Sequence, residues 1–117
     1  MKVYTLRNNV FTNNTAVGAS GNERGGAVSM AGVSVTSMVI FQDTTFNLNR
    51  AYKGASISSG HAVSIQSCNF TQNIGLLNAG AVHLHYVVGS AVTTSTFSEN
   101  QAYSYGGAVS DTYLTPI

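Results

Sequence analysis

An eleven-residue repeat constrains the fold of this chain more than any other feature. Four segments align without gaps: residues 4–14, 39–49, 63–73 and 90–100. In each copy a Phe precedes an Asn by three residues. These residues are Phe11, Phe46, Phe70 and Phe97, with Asn14, Asn49, Asn73 and Asn100. Self-similarity at this spacing is typical of stacked units that share one core and cannot fold singly.

A second repeated element follows each Asn at a variable distance. It is a Gly-Ala pair, and its glycines are Gly26, Gly54, Gly80 and Gly107, spaced by 28, 26 and 27 residues. The unit is therefore about 27 residues long. Three short strands with period-2 alternation are predicted in it, with the patterns GAV-x-M, V-x-I and C-x-F.

These patterns predict an all-β fold, a parallel β-solenoid of about four coils. We expect the Phe column to form a ring ladder in the core. The Asn column is expected to sit at a corner, where Asn tolerates the left-handed conformation and its amide can bond to copies above and below. Glycine before Ala frees the next corner from Cβ clashes. An antiparallel β-sandwich would not need the same Phe-x-x-Asn in each repeat, and a helical repeat would need sustained 3.6-residue spacing.

The low charge content fits a stacked architecture. Only 8% of the residues are charged, against roughly 25% in ordinary globular domains. Strands stack at about 4.8 Å, so a repeated charge would face its own copy. The net charge of +1 lacks the excess of positive charge that is typical of nucleic-acid-binding proteins. No apolar stretch is long enough to span a bilayer.

Two segments are longer than their counterparts in the other repeats. Residues 15–25 separate an Asn from its Gly-Gly by more residues than elsewhere, and residues 30–37 lengthen their repeat similarly. We expect 15–25 to be a protruding loop, because insertions in solenoids map to surface loops.

His83 and His85 form an H-x-H, a spacing that some zinc sites use. A zinc ion needs further ligands close by. The alignment places Ile57 and Ser59 beside them in one neighbouring coil and Ser110 and Thr112 in the other. Because none of these is a good zinc ligand, and Val82 and Leu84 take the inward face, we expect both histidines to be solvent-exposed. His61 lies near a corner and out of line with them.

The acidic residues do not form a predicted catalytic or calcium site. They are Glu23, Asp43, Glu99 and Asp111. A glycosidase needs two carboxylates about 5–9.5 Å apart, but Asp43 and Glu99 fall in different columns, two coils apart. The segment GGAVSD (106–111) lacks one Gly of the calcium-binding nonapeptide, and the columns beside Asp111 hold no acid. We therefore expect no catalytic, cofactor-binding or metal-binding residue.

Phe-x-x-Asn followed by Gly-Gly-Ala-Ile/Val resembles the repeat of the chlamydial polymorphic outer-membrane proteins. The matching Gly-Ala segments are GGAV (25–28), KGAS (53–56), AGAV (79–82) and GGAV (106–109). Two of them depart from the pattern, with Lys53 and Ala79 in place of the first Gly. Cys68, two residues before Phe70, resembles the family's Cys-x-Phe variant.

The resemblance implies a right-handed parallel β-helix in the exported passenger of an autotransporter, acting largely as an adhesin at the cell surface, at the outer membrane or after secretion. We expect residues 1–117 to be a single repeat region of a longer protein, with its export signal elsewhere. The predicted function is non-enzymatic adhesion to a host protein, matrix or glycan. Two alternatives stay open: a carbohydrate-active β-helix of the polysaccharide lyase or hydrolase type, and a structural rod that self-associates through its strand edges.

Overall fold

The computed structural model describes residues 2–21, 23–84, 89–104 and 106–111, and side chains are described for all of these except 31–36 and 111. The described residues form strands and turns and contain no helix. In chain order the strands are β1 (Lys2–Arg7), β2 (Val10–Thr12), β3 (Thr15–Ala16), β4 (Val28–Gln42), β5 (Thr45–Asn47), β6 (Arg50–Lys53), β7 (Ile57–Gln66), β8 (Asn69–Thr71), β9 (Ile74–Asn78), β10 (Val82–Leu84), β11 (Ala91–Thr93), β12 (Thr96–Ser98), β13 (Gln101–Ala102) and β14 (Val109–Asp111).

The strands pair in parallel in three sheets. Sheet A has the order β1-β4-β7-β10-β14, with β11 also on β7. Sheet B has the order β2-β5-β8-β12, and sheet C the order β3-β6-β9-β13. The chain passes through A, B and C in turn and re-enters sheet A one layer further on. Parallel neighbours need long crossover connections, and here the other two sheets supply them. The predicted parallel all-β architecture is confirmed, and the arrangement is β-helix-like.

Each layer turns three corners, and each corner has its own column of residues with positive φ. The A–B corner holds Asn8, Asp43, Ser67 and Thr94. The B–C corner holds Asn13, Leu48, Gln72 and Glu99. The C–A corner holds Gly25, Gly54, Ala79 and Gly106. Because one residue in the left-handed conformation redirects the chain sharply, strands of two or three residues can alternate with single-residue corners.

The core lies between the three sheets. Its fully buried side chains include Phe41, Phe46, Ile57, Ile65 and Phe70. Sheets A and B supply the large apolar groups. Sheet C turns only small residues inward, in the column Ala16, Ala51, Gly75 and Ala102. Its larger side chains therefore lie on its outer face, as the exposure of the residues that flank this column shows.

The predicted division of the repeat into strands was wrong in two respects. In β4 and β7 the GAV-x-M and V-x-I patterns belong to one continuous strand, whereas β10 and β11 carry them separately. Sheet C was missed entirely, and its first strand, Thr15–Ala16, begins the segment that was predicted to be a protruding loop. The longer segment 30–37 lies within β4, which pairs with β7 through register shifts between Met30 and Ser34 and between Ser34 and Met38.

Candidate functional site

The Asn column forms a continuous ladder of side-chain amides. Each Nδ2 donates to Oδ1 of the next copy: Asn14 to Asn49 at 3.0 Å, Asn49 to Asn73 at 3.1 Å, and Asn73 to Asn100 at 2.8 Å. The same Oδ1 atoms accept from the backbone N–H of the preceding copy. Asn49 and Asn73 are fully buried. An amide is needed because one group must accept and donate at once.

These asparagines lie beside a corner, as predicted, but they do not adopt the left-handed conformation themselves. The left-handed residues are their chain predecessors, Asn13, Leu48, Gln72 and Glu99. Asn14 and its equivalents instead turn inward just past the corner. Their Nδ2 groups also reach one layer back, since Asn49 donates to the Phe11 carbonyl oxygen and Asn73 to that of Phe46. The ladder asparagines therefore tie each B–C corner to the end of the sheet B strand in the layer before it.

The Phe column forms a stack of nearly parallel rings inside sheet B. The centroids are 5.0 Å apart for Phe11 and Phe46, 4.7 Å for Phe46 and Phe70, and 4.6 Å for Phe70 and Phe97. The strand spacing of about 4.8 Å matches the distance between these centroids, so parallel stacking of the rings follows from the stacking of the strands that carry them. Phe41 meets Phe46 edge-on from sheet A.

The predicted column of glycines is correct except at Gly54, which is displaced by one residue. Gly54 does not align with Gly26, Gly80 and Gly107. It lies at the C–A corner with φ of 65°, in line with Gly25 and Gly106, and the Ser56 N–H donates to the Ala81 carbonyl oxygen. The segment equivalent to GGAV is thus GASI (54–57) rather than KGAS. Lys53 precedes the motif, and Ala79 occupies the positive-φ position in the third copy.

The expected exposure of His83 was wrong, because its side chain is fully buried. Its strand neighbours also differ from the alignment: His83 pairs with Ser58 rather than Ile57 on β7, and with Ser110 on β14. Ser58 is buried too, so this part of sheet A is shielded from solvent. His85 lies outside the described residues, and so does Thr112. His61 is half-buried, with Nδ1 2.8 Å from Ser37 Oγ.

The acidic residues predicted not to form a site lie in different parts of the structure. Asp43 lies at the A–B corner and Glu99 at the B–C corner. Glu23 accepts from the Gly18 N–H at 3.0 Å and from the Ser20 hydroxyl, and so ties together its own loop. Asp111 pairs with Leu84 in sheet A. Among the described residues, no group of three or more His, Cys, Asp or Glu side chains is placed to hold a metal ion.

Polar side chains on the outer faces of sheets A and B pair with one another. Arg7 Nε donates to Gln42 Oε1 at 3.0 Å, and Gln66 Nε2 donates to Ser64 Oγ at 2.9 Å. On sheet B the Thr96 hydroxyl donates to Asn69 Oδ1. These contacts link adjacent layers or adjacent outward positions.

An open groove lies instead at the B–C corner. Its volume is about 260 Å³, and its lining residues are Leu48, Gln72, Ile74, Glu99 and Gln101. Leu48, Gln72 and Glu99 stand in the corner column, and Ile74 and Gln101 are paired outward positions of β9 and β13. The groove therefore runs along the stack, between the corner and the first outward column of sheet C.

Sequence reasoning missed this groove because it missed sheet C. A signal is present in retrospect: a small residue follows each ladder Asn by two positions, in NTAV, NRAY, NIGL and NQAY. Alternation around that small residue turns the side chains on either side of it outward. The outer face of sheet C therefore carries residues such as Arg50, Ile74 and Gln101, and Tyr103 follows it at 71% exposure.

Comparison with known families gives one match. Residues 94–112 match the model of the Chlamydia polymorphic membrane protein repeat, which confirms the resemblance at the fourth Phe-x-x-Asn and its Gly-Gly-Ala-Val. That repeat family is associated with the chlamydial outer membrane, and the match supports a cell-surface location in general terms. Searches of the curated proteins and of the solved structures give no match. Among the described residues, no helix has the length and apolarity that crossing a membrane requires.

Proposed function

We propose that the chain is a right-handed parallel β-helix of about four coils that acts as a non-enzymatic adhesive module at the cell surface. The observation that carries the proposal is the repeat match at residues 94–112. The same register positions are occupied by Phe and Asn in the three preceding layers. A rod of this kind presents its outer faces over its whole length, which suits contact with a large partner.

The distribution of polar groups supports a non-enzymatic role. The inward-facing Asn side chains form their hydrogen bonds within the protein, as the four hydrogen bonds of the Asn73 side chain illustrate. Asp43 and Glu99 occupy different corners, so they do not present a carboxylate pair of the kind that glycoside hydrolysis uses. In an autotransporter passenger such a module would be exported and held outside the outer membrane.

Adhesion is tested with fluorescent beads that carry the full chain, incubated with epithelial cells and counted by flow cytometry. We expect binding well above that of albumin-coated beads, and competition by soluble chain. Circular dichroism of the coupled protein establishes that it is folded. Folded protein that binds no better than albumin would contradict the adhesive role.

A second candidate, self-association, is favoured by apolar exposure at the two ends of the stack. Val3 and Tyr4 of β1 are each 53% exposed, Val10 is 71% exposed, and Val92 and Val109 are exposed at the other end. β1 and β14 are the outermost strands of sheet A in the described topology, and such a position accepts a further strand, from the rest of the protein or from another copy. Sedimentation velocity over a concentration series distinguishes a rod that polymerises from one that remains monomeric.

A further inference from the structure

The groove at the B–C corner combines apolar and hydrogen-bonding groups. Leu48 is 45% exposed and Ile74 is half-buried. Gln72, Glu99 and Gln101 are all exposed beside them. Gln72 and Glu99 lie in adjacent layers, since the Gln72 N–H donates to the Ser98 carbonyl oxygen. A ligand in the groove would therefore meet polar groups from two consecutive layers and an apolar surface between them.

The polar side chains that line the groove are not engaged with the rest of the protein. Within the described residues, none of Gln72, Glu99 and Gln101 makes a side-chain hydrogen bond or ion pair. Gln66 on sheet A differs, since its side chain donates to Ser64 Oγ. Two carboxamides and one carboxylate thus remain available at one place on the surface, with donors and acceptors both represented.

The chemistry of this lining selects among ligand classes. Carboxamides and a carboxylate pair with hydroxyl groups, and Leu48 and Ile74 offer a surface for C–H groups. A neutral sugar presents hydroxyls at its rim and C–H groups on its ring faces. Glu99 is the charged residue of the lining, and it repels phosphate, sulfate and sialic acid. Arg50, whose backbone pairs with Ile74, is not among the lining residues.

We infer that the groove formed by Leu48, Gln72, Ile74, Glu99 and Gln101 binds an uncharged oligosaccharide, with its chain running along the stack. This inference rests on the proposed adhesive function and assigns its ligand class. The volume of about 260 Å³ is slightly below the usual range of small-molecule sites, which suits one sugar residue of a longer chain. The open geometry lets the neighbouring sugars continue past both ends.

The test is a titration of the ¹⁵N-labelled full chain with neutral tetrasaccharides of glucose, galactose, mannose and N-acetylglucosamine, and with a heparin tetrasaccharide. We expect at least one neutral sugar to shift the side-chain amide signals of Gln72 and Gln101. The double variant Gln72→Ala/Gln101→Ala should bind that sugar about tenfold more weakly. Gln66→Ala removes an amide from sheet A and should leave the affinity unchanged.

Glu99→Gln separates charge from hydrogen bonding. It should retain the neutral sugar and admit the heparin tetrasaccharide, which the native chain excludes. The inference is overturned if no neutral sugar shifts the Gln72 and Gln101 signals, if the double variant binds as the native chain does, or if heparin binds more tightly than every neutral sugar.

The bead assay keeps the two proposals apart. If native and Gln72→Ala/Gln101→Ala beads adhere to cells equally, adhesion stands and the groove is not its contact. If neutral sugar binds in the groove but beads do not adhere to cells, the sugar site stands and the adhesive function fails.

Discussion

Asn73 Nδ2 donates to Asn100 Oδ1 at 2.8 Å, across a step of 27 residues in the chain. One layer back, Asn73 Oδ1 accepts from both the backbone N–H and the side chain of Asn49. A single buried amide thus couples three layers, and its replacement tests how much of the stability depends on the ladder.

Replacing Asn73 by Asp should destabilise the fold by about 3 kcal/mol or more at pH 7. The introduced carboxylate would face the Phe46 carbonyl oxygen and Asn100 Oδ1, both acceptors, inside the protein. Burial raises the pKa of such a carboxyl in the folded state above its unfolded value of about 3.9. The deficit should therefore be smallest near pH 4 and grow as the pH rises towards the folded-state pKa.

Urea unfolding of Asn73→Asp at pH 4 and pH 7 measures this dependence. Asn69→Asp is the control, because Asn69 is exposed and, among the described residues, its side chain accepts only from the Thr96 hydroxyl. Equal losses in the two variants, or a deficit that shrinks as the pH rises, would contradict the expected role of the ladder.

Phe70→Ala should cost about 3–5 kcal/mol, the usual range for a fully buried aromatic side chain. Phe70 is fully buried and stacks on rings from both sides. Phe97 is half-buried and, within the part of the chain that the structure describes, stacks on Phe70 alone, so Phe97→Ala should cost roughly half as much. The two free energies of unfolding, measured in urea, should differ clearly. Indistinguishable values would mean that the stack is equally supported at its end.

Gly54→Ala should destabilise the protein by about 2–4 kcal/mol. A Cβ there would lie 2.2 Å from the Ile57 carbonyl oxygen and 2.8 Å from His83 Cβ, at a φ of 65° that disfavours side chains. The comparison variant is Ala79→Gly, at the equivalent corner, where φ is 57°. It should change the stability by less than about 1 kcal/mol, because relief of left-handed strain offsets the lost Cβ contacts. Thermal unfolding of the two variants checks this contrast.

Asn47→Thr should stabilise the protein by about 1 kcal/mol. Asn47 Oδ1 is buried and has no hydrogen-bond partner among the described residues. The same register position holds Thr12 and Thr71 in the adjacent layers of sheet B. Thr removes the unsatisfied amide oxygen and has the higher strand propensity. A lower melting temperature for Asn47→Thr would show that the amide has a role that these contacts do not reveal.

Cys68 should be unreactive in the folded protein. Burial raises the pKa of its thiol, with a further increase from the charge of Asp43, while backbone hydrogen bonds act in the opposite direction. Because the folded-state pKa of the thiol lies above the unfolded one, its contribution to stability is fully present below the unfolded pKa and is lost as the pH rises through the folded-state pKa. Thiol titration with Ellman's reagent at pH 8, with and without urea, measures the protection.

Cys68→Ser should be tolerated within about 1 kcal/mol. Cys68 Sγ donates to the Gln66 carbonyl oxygen at 3.3 Å. The hydroxyls of Thr44 and Ser95 make the equivalent bond two residues back in their own layers, each at 2.9 Å. Ser can therefore keep the hydrogen bond while losing some apolar volume. A loss of several kcal/mol in Cys68→Ser would assign the sulfur a packing role that its column neighbours lack.

Repeated chemistry made some of the architecture predictable. Stacked strands bring like residues together, so the shared Phe-x-x-Asn pattern was enough to predict parallel layers. The pattern was weaker at Gly54, because Gly54-Ala55 occupies the positions of Gly25-Gly26 and only looks like the Gly-Ala pair of the other copies. Backbone hydrogen bonds, such as Ser56 N–H to the Ala81 carbonyl oxygen, identify the true register.

The candidate site was less predictable. Sheet C has the small inward column Ala16, Ala51, Gly75 and Ala102, which carries little hydrophobic signal, so the strands around it were overlooked. The burial of His83 was missed for a related reason: alternation along a strand says which way a side chain points, but not whether another segment covers that face.

The sequence by itself determined that the chain stacks its repeats in parallel around a Phe-containing core, because side chains that recur at equivalent positions need a shared interior. Only the tertiary structure decided which residues turn the corners, and which polar groups remain unpaired once the layers are in place. Those outcomes depend on contacts between residues 24 to 35 positions apart, and such contacts exist only after the layers have stacked. The groove at Gln72, Glu99 and Gln101 is one of the features that only the tertiary structure decided.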